Sequence, residues 1–392
     1  MAQPKLRFQR KDGTEFPEWK EKSIGSLCEA IGDGLHKAPT YDINGDYYFI
    51  NGNNLKNGKI FIEKETPKVS ADTIQQSDKR LNSSTILMSI NGTIGNLAYY
   101  YNENVMLGKS VAYLQVKSNV CKNYIYFSLQ TKSIINKFKL SLTGTTIKNL
   151  GLNAIRETSI FIPCLEEQQK VADFLSTVDE VIAQSEAEVQ NLEQQKKAAM
   201  QKIFSQEVRF RREDGTEFPK WEEIKLENAV DFLDEKRKPI TSKYRNKGQY
   251  PYYGASGIID YIDDYIFDEE LVLLSEDGAN IVDRNYRVSF IATGKYWVNN
   301  HAHCLRTKNG FSSYFISEAL ENIDYTVYNT GSAQPKLNQE VCRNLPLVCP
   351  CLEEQQKIAD ILSAYDEAIS YAKQELDKWK ELKKGLLQQM FL

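Results

Sequence analysis

PCLEEQQKVADFLSTVDEVIA, residues 163–183, returns as PCLEEQQKIADILSAYDEAIS at 350–370, identical at 15 of 21 positions with an offset of 187. A second tract, RFQRKDGTEFPEW (7–19), returns as RFRREDGTEFPKW (209–221), identical at 10 of 13 with an offset of 202. Between these tracts the two halves of the 392-residue chain diverge almost completely. The chain is therefore a duplication: short tract, variable region, helical tract, and the same again. A frame kept in both copies around regions free to differ is the pattern expected of one scaffold carrying two different recognition surfaces.

The helical tracts carry a narrow apolar stripe. After Pro163 it runs Val171, Leu175, Val178, Ile182, Val189, Leu192, Ala199 and Ile203, with Ser185 and Lys196 filling the remaining seam positions. After Pro350 it runs Ile358, Leu362, Tyr365, Ile369, Ala372, Leu376, Trp379, Leu386 and Met390, with Lys383 matching Lys196. Spacings of three and four define a heptad seam. Glu166, Glu167, Glu353 and Glu354 suit the positive end of each helix dipole; Lys196, Lys197, Lys202, Lys380, Lys383 and Lys384 suit the negative end. Each helix spans about 40 residues, roughly 60 Å at 1.5 Å per residue. Such a rod exposes its stripe unless it pairs, and antiparallel pairing of the two puts a variable region near each end.

Region 20–162 is rich in short β-type runs (47–62, 84–101, 109–116) with a helix expected at 123–138; region 222–349 runs in parallel (250–261, 271–280, 297–306). Both close with a related loop, GTTIKNL (144–150) and GSAQPKL (331–337), before a final strand. Loops rich in Asn, Thr, Ser, Gln, Lys, Arg and Tyr supply the groups that hydrogen-bond base edges and phosphates. The contact candidates are Asn53, Asn91, Thr93, Lys109, Thr145 and Lys148 in the first region, and Lys238, Arg245, Tyr253, Ser256, Asn280, Asn300, Gln334 and Lys336 in the second.

Charge separates the regions. The chain as a whole is at −4; residues 20–162 carry 17 Lys and Arg against 11 Asp and Glu (+6), whereas 222–349 carry 14 against 19 (−5) despite the basic run KRKPITSKYRNK at 236–247. The acids of 260–270 are expected on a face turned from any phosphate backbone.

Catalytic signatures are missing. ENVMLGKS (103–110) has Glu103 where a phosphate loop needs its first glycine. The triplet Asp234, Glu235, Lys236 fits only a loose nuclease pattern, and His301, His303 and Cys304 lack a fourth metal ligand. No metal site is expected. Seven scattered cysteines, no signal-like N-terminus and no apolar run of about 18 residues point to a reduced, cytoplasmic protein with no membrane contact.

The repeated PCLEEQQK, the paired DGTEFPEW and DGTEFPKW tracts, and the GTTIKNL and GSAQPKL loops resemble the specificity subunit of type I restriction-modification systems over essentially the whole chain. The resemblance implies an α+β fold: two α/β target recognition domains of one fold, connected by two long antiparallel coiled-coil helices in an internal pseudo-two-fold repeat. The implied organisation is 1–162, the N-terminal tract with the first recognition domain; 163–205, the central helix; 206–349, the linker repeat with the second recognition domain; and 350–392, the C-terminal helix. It further implies a non-catalytic subunit in which each domain reads one half of a bipartite, asymmetric site on double-stranded DNA. The helices would set the spacer and dock two methyltransferase subunits, restriction subunits joining them. Cofactors are expected in those partners (S-adenosylmethionine, ATP and Mg²⁺) and none in this chain. The rival classes are an enzyme that methylates or cuts DNA alone and a scaffold that binds only protein.

Overall fold

The computed structural model describes residues 3–71, 81–144, 148–331 and 334–392. Two units emerge, Met1–Glu186 with Gln374–Leu392, and Ala187–Lys373. Both cuts fall inside the long helices, Leu165–Phe204 and Leu352–Met390.

Each unit is built on a four-stranded antiparallel sheet with the same spatial order. In the first it is Cys28–Asp33, Val111–Val116, Thr85–Ser89, Leu97–Tyr99; in the second, Val230–Phe232, Ala302–Thr307, Leu271–Ser275, Ser289–Ala292. Thr85–Ser89 and Leu271–Ser275 are buried at all five positions, which is why TILMS and LVLLS lack an alternating pattern: both faces of these strands are covered. A parallel pair joins each sheet region, Tyr47–Ile50 with Val105–Leu107 and Lys247–Gly254 with Lys295–Val298. An outer antiparallel pair, Lys20–Ser23 with Ser159–Ile162 and Glu222–Lys225 with Pro346–Cys349, leads into each long helix.

The helix expected at 123–138 is two helices, Lys122–Leu129 and Lys132–Leu140. Thr131 breaks it: its backbone is extended (ψ 145°) and its hydroxyl accepts the Ile134 amide, so it caps a new helix instead of continuing the old one.

The repeated tracts form the same clip in both units. Arg7 meets buried Glu167 through two hydrogen bonds, 2.8 and 3.0 Å, and donates to the carbonyls of Phe16 and Pro17. Arg209 does the same with buried Glu354, at 3.2 and 2.7 Å, and with Phe218 and Pro219. The next residue along each helix, Gln168 or Gln355, accepts the amide of Cys121 or Ser312 and donates to the carbonyl of Pro163 or Pro350, every bond at 2.9 Å. Glu167 and Glu354 thus act as buried anchors more than as dipole partners.

The seam positions are buried or half-buried throughout. Val171, Leu175, Val178, Leu386 and Met390 join the core of the first unit; Ile203, Ile358 and Leu362 join that of the second. In each unit the two helical stretches run antiparallel, as their ion pairs show: Asp179–Lys383 and Glu186–Lys380 in one, Glu193–Lys373 and Lys196–Asp366 in the other. Lys196, Lys380 and Lys383, expected at the dipole ends, instead bridge the helices.

Candidate nucleic-acid interface

At one edge of the first sheet, five chain segments are tied by backbone hydrogen bonds. The Gly108 amide donates to Ile50 at 2.8 Å, Ile90 to Ser110 at 2.9 Å, Leu150 to Ile90 at 2.9 Å, Gly92 to Lys148 at 3.3 Å and Leu35 to Leu107 at 2.7 Å. Gly34 has to be glycine here, since a Cβ would lie 2.2 Å from the Leu107 carbonyl oxygen. The segments enclose a cleft of about 480 Å³ lined by Asp33, His36, Asn51, Asn91, Lys109, Ser110 and Asn149, among others. Ser110 ties its wall, receiving the Gly52 amide at 2.9 Å and donating to Asn51 Oδ1 at 3.0 Å.

The second unit rebuilds this frame with other residues. Asn299 donates to Tyr253 at 3.1 Å, Glu276 to His301 at 2.9 Å, Leu337 to Glu276 at 2.7 Å, Gly278 to Pro335 at 3.0 Å and Lys238 to Val298 at 3.3 Å. The bridges Asn91↔Asn149 and Asp277↔Lys336 are equivalent, so each closing loop is laid against the turn after the fully buried central strand.

Most of the candidates converge on these two faces. Asn91 and Lys109 line the first cleft, with exposed Asn53 on the turn Gly52–Asn54, exposed Thr93 in the 91–95 loop and exposed Lys148 in the closing loop. Thr145 lies outside the described residues. In the second unit Lys238, Ser256, Asn300 and Gln334 are exposed on the corresponding segments, and Lys336 is there but paired to Glu276 at 3.2 Å. Three candidates are occupied by internal contacts. The Arg245 guanidinium stacks 4.3 Å over Tyr252 and bonds to Ile240 and Asp260, Tyr253 stacks on Phe290, and Asn280 staples its own loop to both backbone groups of Tyr286. The acids of 260–270 are partly neutralised within the fold: Glu269 forms a two-bond pair with Arg306 and Asp260 pairs with Arg245.

Beneath the second face lies a charge network that sequence reasoning missed. His303, almost fully buried, contacts Asp234 at 2.6 Å through Nδ1 and the Leu337 carbonyl at 2.9 Å through Nε2. Both neighbours are acceptors, so both nitrogens donate and the ring is an imidazolium. Burial is the largest single influence and opposes that charge, but the hydrogen bonds to and charges of Asp234 and Cys342 together outweigh it and the pKa is pushed up to about 10. Burial likewise works against the charge of Asp234 and Glu276, yet His303 and Arg237 hold both carboxyls below their usual range. Arg237 reaches Glu276 at 2.6 Å and Asp234 at 3.4 Å, and Gln339 donates to Asp234 at 2.9 Å. Asp234, Glu276 and His303 are close enough to share a metal ion. With no free imidazole nitrogen and Arg237 already between the carboxylates, the donor set fits a salt-bridge network better than a cation. His301 pairs instead with Asp277 at 2.9 Å, and Cys304 joins only through its backbone amide, which donates to Asp234 at 2.9 Å, while its thiol faces an apolar core. The seven cysteines are free thiols. The only signal for this network was a basic residue, Arg237, three positions after an acid.

The comparisons with known proteins agree with this architecture. The type I restriction modification DNA specificity domain matches twice, at residues 17–194 and 219–380. The chain belongs to that family: it is a type I restriction-modification specificity subunit with two DNA sequence recognition domains. A putative type I restriction enzyme MjaX specificity subunit of Methanocaldococcus jannaschii is 25% identical over 97% of this chain and 94% of its own length. A putative specificity subunit of Haemophilus influenzae is 34% identical over 36% of each chain. Among solved structures, the S subunit of the type I restriction-modification system of M. genitalium aligns over 100% of this chain and 99% of its own, with a TM-score of 0.63 at 18% identity. A chain from a study of complex assembly and conformational transition of the type I R-M system aligns with a TM-score of 0.54 at 16% identity, over 95% of this chain and 97% of its own. Among the described residues, no helix is long and apolar enough to cross a membrane.

Proposed function

We propose that each of the two faces reads one half of a bipartite, asymmetric site on double-stranded DNA, and that the chain performs no chemistry itself. The observation that carries this reading is the reuse of one backbone frame with different side chains: Ile90, Asn91, Lys109 and Asn149 on the first face stand where Glu276, Asp277, Asn300 and Lys336 stand on the second. Identical frames give both faces the same approach to a groove, while the exchanged donors and acceptors change which base edges are matched. Asn53, Asn91, Thr93, Lys109, Thr145 and Lys148 would serve one half-site, and Lys238, Ser256, Asn300, Gln334 and Lys336 the other; Arg245, Tyr253 and Asn280 would shape the second face from behind.

The paired helices set the spacer in this reading, since roughly 60 Å of helix exceeds the approximately 34 Å between half-site centres one DNA turn apart. The two Arg–Glu clips, being alike, offer like docking surfaces to two methyltransferase subunits, which would bring S-adenosylmethionine, and restriction subunits would bring ATP and Mg²⁺ chemistry. Exchanging residues 222–349 for the same region of a relative, then sequencing the methylome of cells that also express the partner subunits, tests the division. One half of the methylated site should change and the other stay. A change in both halves would refute two independent readers, and methylation by the purified chain alone would refute a non-catalytic role.

A further inference from the structure

The cross-helix ion pairs fall into two kinds once the repeat offset of 187 is applied. Asp179 meets Lys383 at 2.7 Å, and Asp366 meets Lys196 at 2.7 Å. Asp179 and Asp366 are equivalent, as are Lys196 and Lys383. Both helices therefore carry both members of this pair, and it would be satisfied in any antiparallel association, including a helix with a copy of itself. Lys196 is 6% exposed and also meets Glu318 at 3.2 Å, while Lys383 donates to Gln130 at 3.0 Å. A buried polar group at a seam position fixes register, because slipping would strand it.

The second kind distinguishes the helices. Glu186 meets Lys380 at 2.9 Å and Glu193 meets Lys373 at 2.7 Å. Glu186 is equivalent to Lys373 and Glu193 to Lys380, so the central helix has glutamate at both places and the C-terminal helix has lysine at both. Two central helices in this register would set Glu186 against Glu193 of the second copy, twice over. Two C-terminal helices would set Lys373 against Lys380 in the same way. Only the mixed pair satisfies every contact.

We propose that Glu186, Glu193, Lys373 and Lys380 form a partner-choice code. A central helix accepts a C-terminal helix, its own or that of a second copy of this chain, and rejects another central helix. The shared Asp–Lys pair sets register without choosing. The code ensures that the two different faces, rather than two identical ones, are joined through a helix pair. Exposed ion pairs are individually weak. Flanking charges nonetheless decide partners in coiled coils, because the wrong pairing replaces attraction with repulsion at every site. This inference stands whether or not the faces bind DNA.

The test uses the full-length chain in four forms: wild type, K373E/K380E (acidic on both helices), E186K/E193K (basic on both), and the fourfold charge exchange. Thermal unfolding is followed at low and high salt. Both double variants should melt below wild type at low salt, with the gap closing at high salt, and the fourfold exchange should melt as wild type does. The acidic and basic variants, unfolded and refolded together, should form a helix-exchanged heterodimer seen by native mass spectrometry, about tenfold over either homodimer. Failure of the double variants to fold while the fourfold exchange folds also supports the code. Double variants that melt like wild type at all salt concentrations, a fourfold exchange that fails to restore stability, or a mixture without heterodimer excess would overturn it.

Discussion

The two loop faces share a frame but handle charge in opposite ways. The first presents Lys109 and Lys148 with no ion pair among the described residues, beside neutral Asn91 and Asn149. The second puts Glu276 and Asp277 at the equivalent places, neutralising Glu276 from within through Arg237, Lys336 and His303 and hydrogen-bonding Asp277 to His301. A cation already paired with a carboxylate gives a phosphate less net attraction than a free one. The difference teaches that regional charge, +6 against −5, is only a first approximation to what each face offers a ligand. Acids held in an internal network do not repel like acids left in solvent, and lysines committed to that network are not free to bind.

The largest effect should come from His303→Ala. It removes a buried cation from between Asp234 and the closing loop, leaving the carboxylate short of one partner and the Leu337 carbonyl without its donor. Breaking a buried ion pair costs about 3 kcal/mol or more. Hydrogen exchange should show loosening confined to the second unit and centred on residues 334–337. The first unit has Ala112 at the equivalent strand position, so it has no corresponding weak point. Uniform loosening of both units would mean that the network is not what distinguishes them.

Next in size is the response of duplex binding to lysine removal, measured on the assembled complex. Lys109→Ala with Lys148→Ala should lower the slope of log affinity against log salt by about 2, since each phosphate contact contributes about 0.9. Lys238→Ala with Lys336→Ala should lower it by about 1, because Lys336 already serves Glu276. Equal losses from the two double variants would break the comparison.

Much of the frame was legible in the sequence because it was written twice. The heptad stripes of 163–205 and 350–392, the duplicated tracts and the short β runs all carry periodic or repeated signals, and the closing loops were recognisable by position. The site was legible at the level of loops but not of individual side chains. Lys109 and Asn300, both named from the sequence, lie at equivalent turns; Arg245 was named for its charge, yet its guanidinium is committed to Tyr252, Ile240 and Asp260. The network of Asp234, Arg237, Glu276, His303 and Gln339 draws on four separate segments, and nothing local in any of them announces the others. The break at Thr131 was likewise hidden, since an apolar helical period continues across it.

The smallest effect, taken per pH unit, is a pH dependence that the second unit alone should show. His303 has a folded pKa raised to about 10 against an ordinary value of 6.5. A raised pKa means that the folded state holds the proton more tightly. The stabilisation is therefore complete below about pH 6.5, declines as the unfolded chain loses its proton, and is gone above about pH 10. Within that window the unfolding free energy should fall by about 1 kcal/mol per pH unit, one proton being the limit. Unfolding of the second unit, followed at pH 7, 8 and 9, should show this slope, and His303→Asn should flatten it. The first unit, with alanine at that position, should lack this component. A slope of the same size in both units, or one that survives His303→Asn, would assign the titration to another group and leave the second face without its buried cation.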